Sequence, residues 1–255
     1  MKFMYELLAL AACALLINSA GASVIQVQSD IADYEAHRTQ PSGPNAVSNG
    51  TVGDNRIGAR TTSTWAASIL PFALPSIPSG EQIVAATLNV TFKGENSTLR
   101  PETGDGSVDI YGLPFDAAPL AQDPNRWYGG PNDGTAGVSK LQEDWVTVAT
   151  NPADTVNTLF TSVDISSWLT SLYTGGAVAG DFAILRLSYD ANALDGNNRY
   201  RIVTSGGDAG TIDASPHSIA EGAPFLSITT APIPEPTTVS LLCLAALALA
   251  TVRRR

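Results

Sequence analysis

The chain has 255 residues, of which 44% are hydrophobic and 15% charged, so it holds enough apolar material to bury a core and wholesale disorder is excluded. Without Lys2, Glu6 and the three terminal arginines, the 14 basic and 24 acidic residues fall to 10 and 23, a net of −13. A body this acidic argues against nucleic acid as a partner, because displacing phosphate counterions takes clustered Lys and Arg. The two cysteines, Cys13 and Cys243, lie in apolar end segments, which excludes a disulfide framework, Cys-ligated zinc and a Cys nucleophile from the body.

Residues 1–22 read as a secretory signal peptide. Lys2 precedes an apolar run over 7–17, and small residues follow, with Ala20-Gly21-Ala22 placing cleavage between Ala22 and Ser23. The run is too short to span a bilayer comfortably. A lipoprotein signal at Leu10-Ala11-Ala12-Cys13 is the competing pattern, but the run stays apolar past Cys13.

The body, 23–231, reads as a single all-β domain, a jelly-roll-like β-sandwich. Short apolar or alternating stretches recur between Gly, Pro, Asn and Asp, and no sustained helical period appears. Predicted strands cover 24–27, 65–69, 83–92, 108–111, 145–148, 159–163, 182–189, 199–203 and 225–228. Within 86–92, Leu88, Val90 and Phe92 alternate with Thr87, Asn89 and Thr91, the pattern of a sheet with one wet face. The stretch 182–187 is more continuously apolar and suits a central strand. One helix is expected from Asp164, with Ile165, Trp168, Leu169 and Leu172 on its apolar face and Gly175-Gly176 at its end. Such a helix would plug one end of the sandwich. Trp65, Trp145 and Trp168 sit in regular elements and are expected in the core.

Asp54-Asn55-Arg56, the strand at 86–92, the stretch 108–113, Val163-Asp164-Ile165-Ser166-Ser167-Trp168 and the terminal 224–228 together resemble the DNRLRE-type domains of bacterial surface proteins. That resemblance implies a jelly-roll-like sandwich and, for some members, carbohydrate binding.

Motifs for catalysis are sparse. His37 and His217 are the only histidines, neither sits in a metal-like cluster, and no Gly-x-Ser-x-Gly elbow, P-loop or dinucleotide fingerprint occurs. Two sites remain. In the loop 190–198, Asp190, Asn192, Asp195 and Asn197 gather hard oxygen ligands around a turn glycine, which suits Ca²⁺; an Asp-Gly hairpin loop is the other reading. In the polar loop 123–131, Trp127 and Tyr128 supply aromatic faces for sugar, or else cover the end of the core.

Residues 232–255 form a three-part tail: Pro234-Glu235-Pro236, an apolar stretch over 237–252, and Arg253-Arg254-Arg255. The prolines keep the approach extended. The stretch is long enough to cross a membrane only with thinning or snorkelling, and the arginines would hold the end cytoplasmic. The combination closely resembles the PEP-CTERM sorting signal of Gram-negative bacteria. It implies passage through the inner membrane, recognition and trimming by an exosortase-like enzyme, and delivery to the cell surface or extracellular matrix. A plain single-pass anchor is the alternative. The expected function is that of an exported, non-enzymatic surface or matrix protein, structural or adhesive, with extracellular polysaccharide as its ligand class. A secreted glycosidase or lyase is the alternative, and would need a pair of carboxylates flanking the sugar bond.

Overall fold

A computed structural model describes residues 21–31, 33–39, 45–48, 54–61, 64–93, 106–118, 138–147, 149–150, 157–190, 199–206 and 217–233. In chain order the strands are β1 (Ser23–Gln28), β2 (Tyr34–Thr39), β3 (Asn45–Ser48), β4 (Asp54–Thr61), β5 (Thr64–Ala73), β6 (Glu81–Phe92), β7 (Ser107–Asp116), β8 (Ser139–Val146), β9 (Thr158–Thr161), β10 (Phe182–Asp190), β11 (Arg199–Val203) and β12 (Phe225–Pro232). One helix, α1 (Ser166–Thr174), precedes β10. Every pairing between named strands is antiparallel, and the hydrogen-bonded path runs β1-β12-β6-β11-β4-β5-β10-β7-β8. β9 adds to β6, and β2 joins β5 to β3. The fold is an all-β, antiparallel, sandwich-like one.

The path bends at its weakest link. β11 meets β6 only at Ile202 and Phe92, while it pairs with β4 over five residues. This link separates a β1-β12-β6-β9 half from a β2-β5-β10-β7-β8 half. The core between them is one cluster: Leu88, Val90, Phe92, Leu226 and Ile228 come from the first half, and Leu70, Phe72, Ile110, Leu185 and Leu187 from the second. Edge-to-face aromatic contacts continue across it, with Phe92 5.5 Å from Trp145 and 6.0 Å from Tyr200. Polar bonds close the seam between β8 and β9. Trp145 Nε1 donates to the Thr161 carbonyl at 3.2 Å, and Val163 N–H donates to Gln142 Oε1 at 2.9 Å.

Helix α1 fills one end of this core, as its apolar spacing predicts: Ile165, Trp168, Leu169 and Leu172 are all buried. Its start differs from the expectation. The N-cap is Ile165, with no side-chain cap bond, and Asp164 acts from one residue further out. Asp164 Oδ1 accepts N–H bonds from Ser166 and from Ala86 of β6, both at 2.9 Å, and Oδ2 accepts from Ser166 Oγ. The carboxylate therefore pins the helix to the sheet as well as beginning it. The Ala86 bond leads the causes that hold its pKa below the usual carboxylate range. Trp168 packs against β7 at Gly112, where an added Cβ would fall 2.3 Å from ring atoms Cε2 and Nε1.

Three strands escape the sequence expectation. β2 reads as polar because it is buried on both faces: Tyr34 and Ala36 face one way, and the intervening Glu35 is 1% exposed. Glu35 Oε1 accepts the Arg56 backbone N–H at 2.7 Å, so β4 satisfies the acid that β2 carries inward. In β4 itself the inward row is Asn55, Ile57 and Ala59, with one large apolar residue among them. β3 holds to β2 from Glu35↔Ser48 to Arg38↔Asn45. β8 begins six residues before the expected strand at 145–148 and ends at Val146.

Gly112→Ala tests the helix seat. The tryptophan cannot be displaced without losing its core contacts, so the variant should lose roughly 1–3 kcal/mol and melt on the order of 2–10 °C lower. An unchanged melting temperature would contradict the close approach.

Candidate functional site

The register of β1, β12, β6 and β9 builds an outward face in rows, since residues directly opposite in an antiparallel pair share a side of the sheet. One row is Val24, Thr229 and Ala85; the next is Gln26, Ser227 and Thr87. A third is Gln28, Phe225, Asn89 and Thr161, and a fourth is Thr91 and Leu159. These rows carry hydroxyls, amides and apolar groups, Phe225 and Leu159 among them, and no formal charge, on a chain whose net charge is −10. Thr161 Oγ1 donates to Asn89 Oδ1 at 2.8 Å, and Asn89 Nδ2 lies 3.4 Å from both the carbonyl and Oγ1 of Thr87. Asn89 is buried, so the network holds its amide beneath the exposed Thr161 rather than presenting it to solvent. Val24, 62% exposed, and Leu159, 54% exposed, flank it as apolar shoulders.

One end of the face is closed by polar contacts: Gln28 Nε2 donates to the His217 carbonyl at 2.6 Å, and Gly222 packs against the Thr91 side chain. On the opposite side of the same strands, Glu81 accepts from the Thr230 and Ser23 hydroxyls, which themselves lie 2.7 Å apart.

A second polar cluster lies on the β7-β8 side. Lys140 Nζ is 2.8 Å from Asp109 Oδ2, and Tyr111 OH donates to the same oxygen at 3.2 Å. Asp109 Oδ1 accepts the Asp144 N–H at 2.9 Å. Arg186, 2% exposed, places its guanidinium carbon 4.5 Å from the Tyr111 ring centre, a cation–π contact. Burial and the Asp109 charge push the Tyr111 phenol up to about 12. Burial lowers the Lys140 ammonium, but the Asp109 hydrogen bond and charge outweigh it and raise the group. The cluster is thus a compensated ion network holding β7 and β8 together.

A third group unites Ser, His and Asp, the residue types of a hydrolytic triad, but wires them differently. Asp33 Oδ2 accepts the Ser205 backbone N–H at 2.6 Å, and Oδ1 that of Gly206 at 3.4 Å. Ser205 Oγ bonds Ser29 Oγ at 2.6 Å, and His217 Nδ1 bonds the Thr204 carbonyl at 2.9 Å. A triad needs the carboxylate on the imidazole and the imidazole on the hydroxyl. Here the carboxylate tethers the β1-β2 turn to the end of β11.

The sequence-predicted sites fall mostly elsewhere. Trp127 and Tyr128, in the β7-β8 connection, lie outside the described residues, as do Asn192, Asp195 and Asn197. Asp190 ends β10, its backbone opposite Ser107. Among the described residues no three of His, Cys, Asp and Glu converge as metal ligands. Pro234, Glu235, Pro236 and Arg253, Arg254 and Arg255 also lie outside, and no described helix is long and apolar enough to cross a membrane. Ala22 is exposed, and Ser23 opens β1. Thr87, Asn89 and Thr91 were legible as a wet face; Gln26, Ser227, Thr229 and Thr161 join them only through register.

No family model matches the chain, and no curated protein does. Among solved structures, a xylan-binding module, CBM15, overlays 85% of this chain and 100% of its own at 9% identity, with a TM-score of 0.37. A likeness that loose carries no argument for fold or ligand. The class that the fold itself defines is an antiparallel, sandwich-like domain in which the described rows of the β1-β12-β6-β9 face carry no charge.

Asp33 gives a pH test. Burial, against the N–H bonds from Ser205 and Gly206, pushes its carboxyl up to about 7 from an ordinary 3.8. Between those values the folded chain holds a proton that the unfolded chain has released, so stability falls as pH rises from about 4 to about 7. Asp33→Asn should flatten the fall: relative to the parent, its melting temperature should improve across that window. A parent–variant difference independent of pH would contradict the assignment.

Proposed function

We propose that this is an exported, non-enzymatic surface or matrix protein that engages neutral extracellular polysaccharide through the open face of β1-β12-β6-β9. The observation that carries the proposal is the charge-free row pattern of Gln26, Ser227, Thr87, Asn89 and Thr161 on an otherwise acidic chain. Sugar hydroxyls both donate and accept, and amide and hydroxyl side chains answer both roles. Pairing them desolvates no ion, which keeps the polar cost of binding low. Val24, Ala85 and Leu159 supply apolar area for sugar C–H faces. An enzyme reading would need two carboxylates flanking the bound chain, and these rows contain none.

The address belongs to the same proposal. A secretory signal ending at Ala22 and a tail of Pro234-Glu235-Pro236, apolar stretch and Arg253-Arg254-Arg255 support export, transient membrane passage and trimming by an exosortase-like enzyme. The stretches behind the DNRLRE resemblance fall in β4, β6, β7, at the start of α1 and in β12. That supports carrying the jelly-roll-like surface-domain reading forward.

Affinity electrophoresis of the exported protein in neutral and anionic polysaccharides, with reducing ends assayed in parallel, tests the ligand. Neutral polymer should retard the protein and yield no new ends. The Ser227→Glu variant should lose retardation while melting near the parent. New reducing ends would make the protein an enzyme, and undiminished retardation of the variant would move the site. Mass spectrometry of the surface fraction should find a chain starting at Ser23 and ending near Pro234. Arg255 still present there would refute trimming.

A further inference from the structure

β1 begins at Ser23, and there it meets Glu81. This first residue of β6 reaches across β12: its Oε2 accepts from Thr230 Oγ1 and, at 3.3 Å, from Ser23 Oγ. The Glu81 N–H donates to the Pro78 carbonyl at 3.0 Å, and Thr230 is fully buried. These partners come from β1, β12 and the turn before β6, and none of them carries charge. Among the described residues no basic side chain pairs with Glu81. An acidic chain thus holds a carboxylate at this corner on hydroxyls alone.

The Ser23 nitrogen lies toward the same corner. Ser29 N–H donates to the Pro224 carbonyl at 2.8 Å, and the register runs unbroken from there back through Gln28↔Phe225 to Ser23↔Thr230. Hydrogen-bonded pairs recur at every second residue of an antiparallel ladder. Ser23 therefore turns its nitrogen toward β12, the side from which Glu81 arrives. Before Ser23 the chain stands clear: Ala22 is exposed, and a Cβ placed on Gly21 would meet nothing within 4 Å. The Ala22–Ser23 bond is open to a protease while Ser23 is already held in the sheet.

We infer that removal of the signal turns the start of β1 into an ion-pair lock, in which the α-ammonium freed at Ser23 pairs with the Glu81 carboxylate. A signal-cleaving protease adds water across the Ala22–Ser23 amide. The C–N bond breaks, Ala22 keeps the oxygen as a carboxylate, and the Ser23 nitrogen takes up a proton. In the precursor that nitrogen is a neutral amide whose N–H is turned to β12. In the mature chain it carries a charge and further N–H donors, a few covalent bonds from a hydroxyl already on Glu81. The pair ties β1 to β6 across β12. It exists only after cleavage, so the lock rests on the export reading above. An α-amine ordinarily titrates at about 8. A carboxylate beside it favours the ammonium, so the folded chain holds this proton to higher pH than the unfolded chain does. The stabilisation is therefore present at about pH 6 and lost as pH rises through the amine's folded titration.

Mass spectrometry of the exported protein reads its first residue, and an NMR titration of its isotopically dimethylated α-amine, a modification that keeps the charge, tests the lock. The parent's amine should titrate roughly 0.2–0.7 pH units higher folded than in denaturant, and Glu81→Gln should remove most of that difference. The parent should also melt above Glu81→Gln at about pH 6, with the gap narrowing by about pH 10. A Ser23 start with an amine that titrates alike in parent and variant, or a melting gap that does not change with pH, overturns the lock alone. A first residue other than Ser23 overturns the lock together with the cleavage reading. Should Glu81→Gln fail to fold, the parent decides: equal folded and denatured titrations overturn the lock, and a higher folded one supports it.

Discussion

The pairing of β12 with β6 is the constraint on which the rest depends. It aligns Leu226 with Leu88 and Ile228 with Ala86 on the core side, and Ser227 with Thr87 and Phe225 with Asn89 on the outer side. A slip of one residue would turn every one of these side chains to the opposite face. The buried row would then be hydroxyls and amides without partners, and the outer row would be aliphatic. The period-two alternation of β6 meets a matching alternation in β12, so only one register buries apolar surface on one side. The single shift, between Thr229 and Thr230, falls near the end of the pair. From this register follow the wet face and the seat of α1, which Asp164 fastens to the Ala86 N–H.

The second half of the sandwich is organised by buried charge. Glu35, Asp109 and Arg186 are all enclosed, and each is compensated. Glu35 takes the Arg56 N–H, Asp109 takes Lys140, Tyr111 and the Asp144 N–H, and Arg186 lies over Tyr111. Enclosed charges of this kind contribute little net stability, since desolvation offsets attraction, but removing one partner strands the other. Their effect is to specify which strands are neighbours: β2 with β4 across β5, and β7 with β8. One half of the molecule thus carries its polar groups outward and uncharged, and the other carries charge inward.

The sequence reveals the strands that alternate cleanly or run apolar. β6, β10, β11 and β12 and the apolar face of α1 appear where periodicity puts them, and Trp65, Trp145 and Trp168 are buried as expected. β2 and β4 were hidden because their inward residues include Glu35 and Asn55, which no periodicity of apolar residues can register. The cap of α1 was misplaced by one residue because Asp164 looks like a cap yet also answers a distant N–H on β6. The face was half legible: Thr87, Asn89 and Thr91 alternate in one strand, whereas Gln26, Ser227 and Thr161 lie far apart in the chain and share a surface only once the strands are in register. Trp127, Tyr128, Asn192, Asp195 and Asn197 lie outside the described residues.

The central claim is that the registers of β1, β12, β6 and β9 create a ligand-binding face. Amide chemical-shift mapping of the isotopically labelled, exported protein, titrated with neutral oligosaccharides cut from a polymer that retards it, addresses that claim directly. The account predicts a contiguous patch of shifts over Gln26, Thr87, Asn89, Thr161, Ser227 and Thr229. Shifts confined to the Asp109–Lys140 side or to the β7-β8 connection, with this face silent, would contradict it.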